Sequence, residues 1–254
     1  MAFTKTYDEG EPQRVNKWLA QSGVCSRREA EQLINDGLVS IDGEVVEDVG
    51  RKILPGQTLV LADRAVDKLD AAVTYMIHKP VGIVSAQPDP GQVPAARLLT
   101  RQNQWGNAPA PIPQSGDLLP PVGRLDKDSR GLLLLSSDGV VAKAVIGPQS
   151  DLEKEYRVAV MGDLTEEKIE LLRFGLELDG RELRPAEVEV ISEQRLRIVL
   201  REGRNRQIRR MCELVELKVV DLFRVRIGSL EMDDMPEGRW RPLTAAERAA
   251  LVGG

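Results

Sequence analysis

The chain has 254 residues, 42% of them hydrophobic, 30% charged and only 4% aromatic, with a formal net charge of −5. That composition suits one large or two unequal globular domains with an aliphatic core. No apolar run approaches the roughly 18 residues that a membrane span needs, and one histidine with two cysteines is too small an inventory for a zinc site or a histidine-based triad.

In chain order, residues 1–13 are polar, without periodicity, and are expected to be a disordered leader. They contain no apolar signal core, so a cytoplasmic location is expected, where Cys25 and Cys212 would stay reduced. From Arg14, the apolar residues Val15, Trp18 and Leu19 recur at helical spacing up to Gly23. Ser26 with Glu29 three residues on is a capping box that opens a second helix, carrying Ala30, Leu33 and Ile34 and stopped by Gly37. LVSIDGEVV then alternates around Asp42-Gly43, a pair suited to a type I′ hairpin, and another short strand leads to Leu61. Residues 14–63 therefore form a first module, and residues 64–72 read as a charged linker.

A second domain, residues 73–254, starts on the apolar strand around Tyr75–Ile77 followed by HKPVGIVS. Residues 87–121 hold eight prolines, APAPIPQ among them, and read as an irregular surface loop. Beyond it come a strand through Leu132–Leu135, one over Glu155–Val160, and a helix capped by Thr165. Strands around Ala186–Ile191 and Leu196–Leu200, a helix over Asn205–Val215, the strand VVDLFRVRIGSL and a short helix from Thr244 complete the pattern. Many strands with few interposed helices predict an α+β fold on a mainly antiparallel sheet.

Charge is unevenly spread. Between Arg195 and Arg226 stand ten basic residues, nine of them arginine, against four acidic ones. A basic band rich in planar guanidinium groups suits phosphate contact despite the acidic total. Arg14 and Lys17 on the first helix, with Arg27 and Arg28 opening the second, add a smaller basic group. VGRLDKDSRGLLLLSSDG (122–139) sets Asp126 and Asp128 among Arg124, Lys127 and Arg130, immediately before an apolar strand. A carboxylate in such a place either caps a turn or does chemistry.

Several of these stretches carry a family resemblance. RVNKWLAQSGVCSRREAEQLINDGLVSIDGEVV looks like the small RNA-binding domain named after ribosomal protein S-four. GRLDKDSRGLLLLSSDG, together with HKPVG (78–82), LEKEYRV (152–158) and LREGRNRQIRRM (200–211), resembles the bacterial ribosomal RNA pseudouridine synthases of the RsuA-like family. NRQIRRMCE and LEKEYRV resemble most the RluF-like subgroup, which acts on 23S rRNA. The resemblance implies an isomerase that turns uridine into pseudouridine in structured RNA without metal or organic cofactor. The bond from ribose to the base nitrogen breaks, and the uracil turns and rejoins through its carbon 5.

By position in those motifs, Asp126 is the catalytic aspartate, acting as nucleophile at the anomeric carbon or as base at its neighbour. The resemblance also implies that Asp126 sits in an apolar cleft, where it needs a cationic partner to stay ionised, and Arg209 maps onto that partner. Tyr156 maps onto the tyrosine that packs against the target base. Arg124 maps onto the arginine that fills the gap left when the uridine flips out, and Asp128 is expected to play a supporting or turn-capping part. Arg204, Arg206 and Arg210 join Arg14, Lys17, Arg27 and Arg28 as RNA contacts. The expected partner is RNA, rRNA before tRNA, with no membrane and no metal, for a monomer concerned with rRNA processing. Two alternatives stay open: a catalytically silent ribosome-assembly factor, and the same reaction on 16S rRNA or tRNA. A glycoside hydrolase using Asp126 with Asp128 would leave the basic band without a purpose.

Overall fold

The computed structural model describes residues 3–106, 111–113 and 119–253. The chain divides into two compact units, residues 1–74 with 136–143, and residues 75–135 with 144–254.

The first unit contains strands β1 (Phe3–Thr6), β2 (Gln13–Arg14), β3 (Val39–Ile41), β4 (Glu44–Val45), β5 (Lys52–Ile53) and β6 (Thr58–Leu61), and helices α1 (Val15–Gln21), α2 (Arg27–Asn35) and α3 (Asp63–Asp70). Local signals built it as the pattern suggests. Ser26 and Glu29 form a reciprocal capping box. Gly37 ends the turn after α2 with a left-handed φ of 68°, and Asp42 and Gly43 both have positive φ, as a type I′ turn requires. Val15, Trp18 and Leu19 from α1, Leu33 and Ile34 from α2 and the inward residues of β3 and β6 form its core.

Two expectations fail here. The polar leader is ordered: β1 pairs antiparallel with β6 along Phe3–Thr6, and Tyr7 is fully buried, edge-on to Trp18 at 5.2 Å. One buried aromatic anchors a stretch whose average composition reads as unfolded. The charged segment after Asp63 is also no extended linker. Its residues form α3, with Ala65 buried and Lys68 reaching Asp36 at 2.6 Å.

The second unit is built on one sheet made of β7 (Thr74–Lys79), β8 (Pro121–Val122), β9 (Arg130–Ser136), β10 (Lys154–Met161), β13 (Glu187–Ser192), β14 (Arg195–Leu200), β15 (Lys218–Ile227), β16 (Leu230–Glu231) and β17 (Trp240–Pro242). A separate hairpin joins β11 (Glu177–Leu178) to β12 (Arg181–Glu182), and the helices are α5 (Glu166–Arg173), α6 (Gln207–Leu214) and α7 (Ala245–Val252), while α4 (Gly139–Ile146) has residues in both units. The strand order is β13-β14-β10-β15-β9-β7-β17, with β16 beside β15 and β8 beside β9. β15 and β9 run parallel, whereas β10 is antiparallel to both of its neighbours. The stretch Gly131–Ser136 is buried throughout, which explains its near-continuous apolar sequence, and β7 is buried along its whole length although it ends on His78 and Lys79.

The Pro-rich segment lies partly outside the described residues. Its described portion is more tightly held than a free surface loop. Short 3₁₀ turns span Ala95–Leu98 and Arg101–Asn103. Ala95 is fully buried, and the Trp240 indole donates to the Thr100 carbonyl at 2.8 Å.

Candidate active site

Asp126 lies in the loop between β8 and β9, and the protein grips that loop from several sides. The buried Ser85 hydroxyl donates to the Leu125 carbonyl at 2.6 Å and accepts from the Leu125 amide at 2.9 Å. The Gly82 amide donates to the Lys127 carbonyl at 2.8 Å, and the Ser129 amide closes a turn onto the Asp126 carbonyl at 3.1 Å. Leu125 is buried as an anchor, so the next side chain, that of Asp126, emerges with 30% of its surface exposed. The expectation of an aspartate enclosed in an apolar cleft is thus corrected to one standing at a partly open, polar wall.

That wall belongs to a cleft of about 800 Å³ lined by Asp126, Arg124, Tyr156, Arg206, Leu222 and Arg224 among others. Tyr156 projects from β10 at 9% exposure, and Leu222 and Arg224 come from β15 beside it. The loop Arg201–Arg206 after β14 closes the far side.

The cation beside Asp126 differs from the expected one. Arg206 places Nη1 3.5 Å from Asp126 Oδ2 and binds both oxygens of Asp128 at 3.2 Å. Arg206 adopts a left-handed conformation, φ 48° and ψ 34°, in the residue before α6, which is uncommon for a side chain of this size. Arg209, one turn into α6, is 7% exposed. It donates to the carbonyls of Asp128 (2.8 Å) and Val219 (3.3 Å) and to the Ser129 hydroxyl (3.3 Å), with Nε 3.4 Å from an Asp128 carboxylate oxygen. The left-handed step turns Arg206 toward the cleft and leaves Arg209 on the helix face that packs under the loop. Burial works against the charge on Asp128, but the Arg206 hydrogen bonds and the nearby guanidinium groups prevail and hold its carboxyl below the usual carboxylate range.

An aspartate, a tyrosine ring and cationic neighbours around a cleft of nucleotide size fit a reaction on a flipped base. Two family models match the chain: the S4 domain over residues 13–59, and the RNA pseudouridylate synthase over residues 73–214. The chain belongs to the RNA pseudouridylate synthase family.

Relatives of this synthase span nearly all of it. It is 34% identical to the dual-specificity RNA pseudouridine synthase RluF of Salmonella typhi, over 92% of this chain and 76% of that one. It is 32% identical to the ribosomal large subunit pseudouridine synthase B of Bacillus subtilis, over 92% and 93%, and 31% identical to the ribosomal small subunit pseudouridine synthase A of Escherichia coli, over 94% and 100%. A crystal structure of a pseudouridylate synthase superposes with a TM-score of 0.65 at 26% identity, covering 94% of this chain and 99% of that one. The synthase is accordingly an isomerase acting on RNA, with an S4 domain preceding its catalytic domain.

The cations of the synthase fall into two groups. Arg14, Lys17, Arg27 and Arg28 are exposed, and none makes an ion pair among the described residues. Arg124 is likewise exposed and unpaired on the cleft. Most of the basic band, by contrast, is answered from within. Arg204 donates to the carbonyls of Leu178, Arg181 and Glu182 and so ties down the β11–β12 hairpin. Arg210 makes a two-pronged pair with Asp179 at 2.6 and 2.9 Å. Arg197, Arg201 and Arg226 are paired to Glu153, Glu155 and their neighbours. The count of cations along the band overstated the free positive charge, because many of their carboxylate partners, Glu153, Glu155 and Asp179 among them, lie outside the band in sequence.

Three cations escaped the sequence reading. Lys79 is fully buried, and its amine donates to the Pro80 and Ile83 carbonyls at 2.8 and 2.7 Å, stapling the turn that carries Ser85. Burial pulls this lysine down to about 8, partly offset by the charges of Asp126 and Asp128. Arg224 and Lys154 are buried beside the cleft. The lysine of LEKEYRV and the arginine of DLFRVRI were visible as letters, but nothing in the pattern distinguished them from surface charges. His78 is structural: its Nδ1 lies 2.7 Å from the Met235 carbonyl, and its ring stacks on Phe223 at 5.4 Å. Among the described residues no cluster of His, Cys, Asp or Glu could hold a metal ion, and no helix is long and apolar enough to cross a membrane.

Proposed function

We propose that this synthase isomerises a specific uridine in bacterial 23S rRNA, in the cytoplasm and as a monomer, without a metal or organic cofactor. The observation that carries the chemistry is the placement of Asp126: anchored through Leu125, beside Arg206, in one cleft with Tyr156. Asp126 meets the sugar of the flipped nucleotide and Tyr156 packs against its base. Arg206 sets a positive charge 3.5 Å from the Asp126 carboxylate. Arg209 acts on the loop backbone and so serves as the positioning residue. Arg124 stands at the mouth, suited to fill the space the base vacates.

The four exposed cations of the S4 domain support a grip on the RNA backbone that orients the substrate without reading its bases. The large-subunit target is supported by the likeness to the large-subunit synthase B, which slightly exceeds that to the small-subunit synthase A.

The test uses transcripts of 23S rRNA, 16S rRNA and tRNA labelled with tritium at uracil carbon 5. Tritium release from 23S rRNA by the wild-type chain, abolished in Asp126→Asn, is the expected result. Release from 16S rRNA or tRNA instead would reassign the target, and undiminished release by Asp126→Asn would remove the aspartate from the chemistry.

A further inference from the structure

The cleft holds a buried cation that no carboxylate among the described residues neutralises. Arg224 sits on β15 directly across the ladder from Tyr156, is only 2% exposed, and lines the cleft with Asp126. Its Nε donates to the Leu132 carbonyl at 2.7 Å. Its Nη2 is buried without a hydrogen-bond partner, and no carboxylate among the described residues lies within ion-pair distance of it. Two residues before Tyr156 on the same strand face, Lys154 is also buried, and its amine donates to the Leu152 carbonyl at 3.1 Å. Burial, followed by repulsion from Arg224 and Arg184, weakens the hold of Lys154 on its proton. The two cations therefore raise each other's cost. A buried charge without a partner is expensive, and groups kept in that condition concentrate where a ligand supplies the opposite charge.

We propose that Arg224, assisted by Lys154, takes the carbonyl edge of the flipped uracil and holds the negative charge that the ring acquires when its bond to ribose breaks. The inference rests on the active-site reading above and adds a substrate-contacting group to it. In this step the bond between the base nitrogen and the anomeric carbon breaks, and its electron pair leaves with the uracil, spreading over the ring nitrogen and both carbonyl oxygens. The sugar stays with Asp126, either bonded to it at the anomeric carbon or having given it a proton from the neighbouring carbon. Carbon 5 then forms the new bond to the sugar, Asp126 is restored to its starting form, and the proton lost from carbon 5 is matched by one taken up at the freed ring nitrogen, so the product is an isomer of the substrate.

Depth decides between the base and the RNA backbone as the anion. Arg224 is enclosed on the sheet face beside Tyr156, against which the base packs. The phosphates of a folded RNA stay near water, where the exposed Arg124 and the 43% exposed Arg206 stand. Donors aimed at charge that appears only in the transition state accelerate a reaction without tightening ground-state binding.

The experiment compares single-turnover rates for one RNA carrying uridine or 5-fluorouridine at the modified position, with loss of the nitrogen-linked nucleoside followed by digestion and mass spectrometry. Fluorine stabilises the uracil anion and so reduces the need for Arg224. Arg224→Gln is expected to slow the uridine reaction by about 100-fold and the 5-fluorouridine reaction by about tenfold, with RNA affinity changed by less than about threefold and Arg224→Lys recovering part of the rate. Equal losses on both RNAs would overturn the proposal. So would an affinity loss with the rate preserved, which would mark a phosphate contact. Where Arg224→Gln fails to fold, Lys154→Met decides by the same pair of rates: a smaller loss with 5-fluorouridine supports the proposal and equal losses refute it. A wild-type chain inactive on every RNA tried would instead overturn the reading of the site, and the proposal with it.

Discussion

Gly131 is the position where the tightest geometric demand meets the active site. It opens β9 with φ 112°, opposite Arg224 in the parallel ladder between β9 and β15. A Cβ added there would lie 2.2 Å from the Arg224 carbonyl oxygen, 2.7 Å from its amide nitrogen and 2.9 Å from the Phe223 ring. Relief requires the two strands to part by about 1 Å, because two of the three obstacles are backbone. The left-handed backbone of an alanine costs about 1–3 kcal/mol, and overpacking a close contact adds about 1–3 kcal/mol. A loss of about 4 kcal/mol lowers the melting temperature of a catalytic domain this size by about 8–16 °C. The strand shift also drags Arg224 and the Asp126 loop apart, so turnover falls with stability. Gly123→Ala is the control: its φ is 76°, but the nearest side-chain atom would lie at 3.4 Å, leaving only the backbone penalty. Scanning calorimetry of both variants, with tritium release alongside, measures the difference. Equal shifts in melting temperature for Gly131→Ala and Gly123→Ala would refute the argument that a backbone clash holds β9 against β15.

Four further outcomes follow from the geometry. Arg206→Ala, at a 43% exposed side chain, is expected to cost about 10²-fold in turnover with little change in melting temperature. Arg209→Ala is expected to destabilise by about 2–3 kcal/mol through its lost charged hydrogen bonds; the reverse pattern in paired kinetics and melts would restore Arg209 as the partner of Asp126. Lys79 has its proton affinity pulled down to about 8 from 10.5. Between those values the unfolded chain binds the extra proton, so the Lys79 contribution to stability rises with pH by up to about 1.4 kcal/mol per unit and is least below 8. Denaturant titrations of wild type and Lys79→Met at pH 8 and 10 test this, and parallel pH slopes would count against it. Replacing Arg14, Lys17, Arg27 and Arg28 together by alanine is expected to reduce the salt dependence of RNA binding, the slope of log K against log salt falling by about 3–4. An unchanged slope would place the RNA elsewhere.

Local rules carried much of the fold. The Ser26–Glu29 capping box, the Asp42-Gly43 turn and the buried run of β9 depend on a few neighbouring residues, and their physics survives in a string of letters. The same holds for the motif that isolates Asp126, since a charged turn entering an apolar strand is a local contradiction with few structural explanations. Order in the leader and in residues 63–70 was not legible, because it comes from Tyr7 reaching Trp18 and from Lys68 reaching Asp36.

Charge was the property that sequence described least well. An ion pair depends on distances of a few ångströms between strands far apart in the chain. The basic band therefore looked free until Arg197, Arg201, Arg210 and Arg226 met their carboxylates. Which arginine stands beside Asp126 turned on one left-handed residue, Arg206, at the entrance to α6. The sequence by itself determined the S4 and synthase domains and the family motifs, Asp126 among their residues, because each is written in contiguous residues. Only the tertiary structure decided which cations are spent inside the protein and which, like Arg224, have no carboxylate partner among the described residues, because solvation and pairing are set by what the fold brings near.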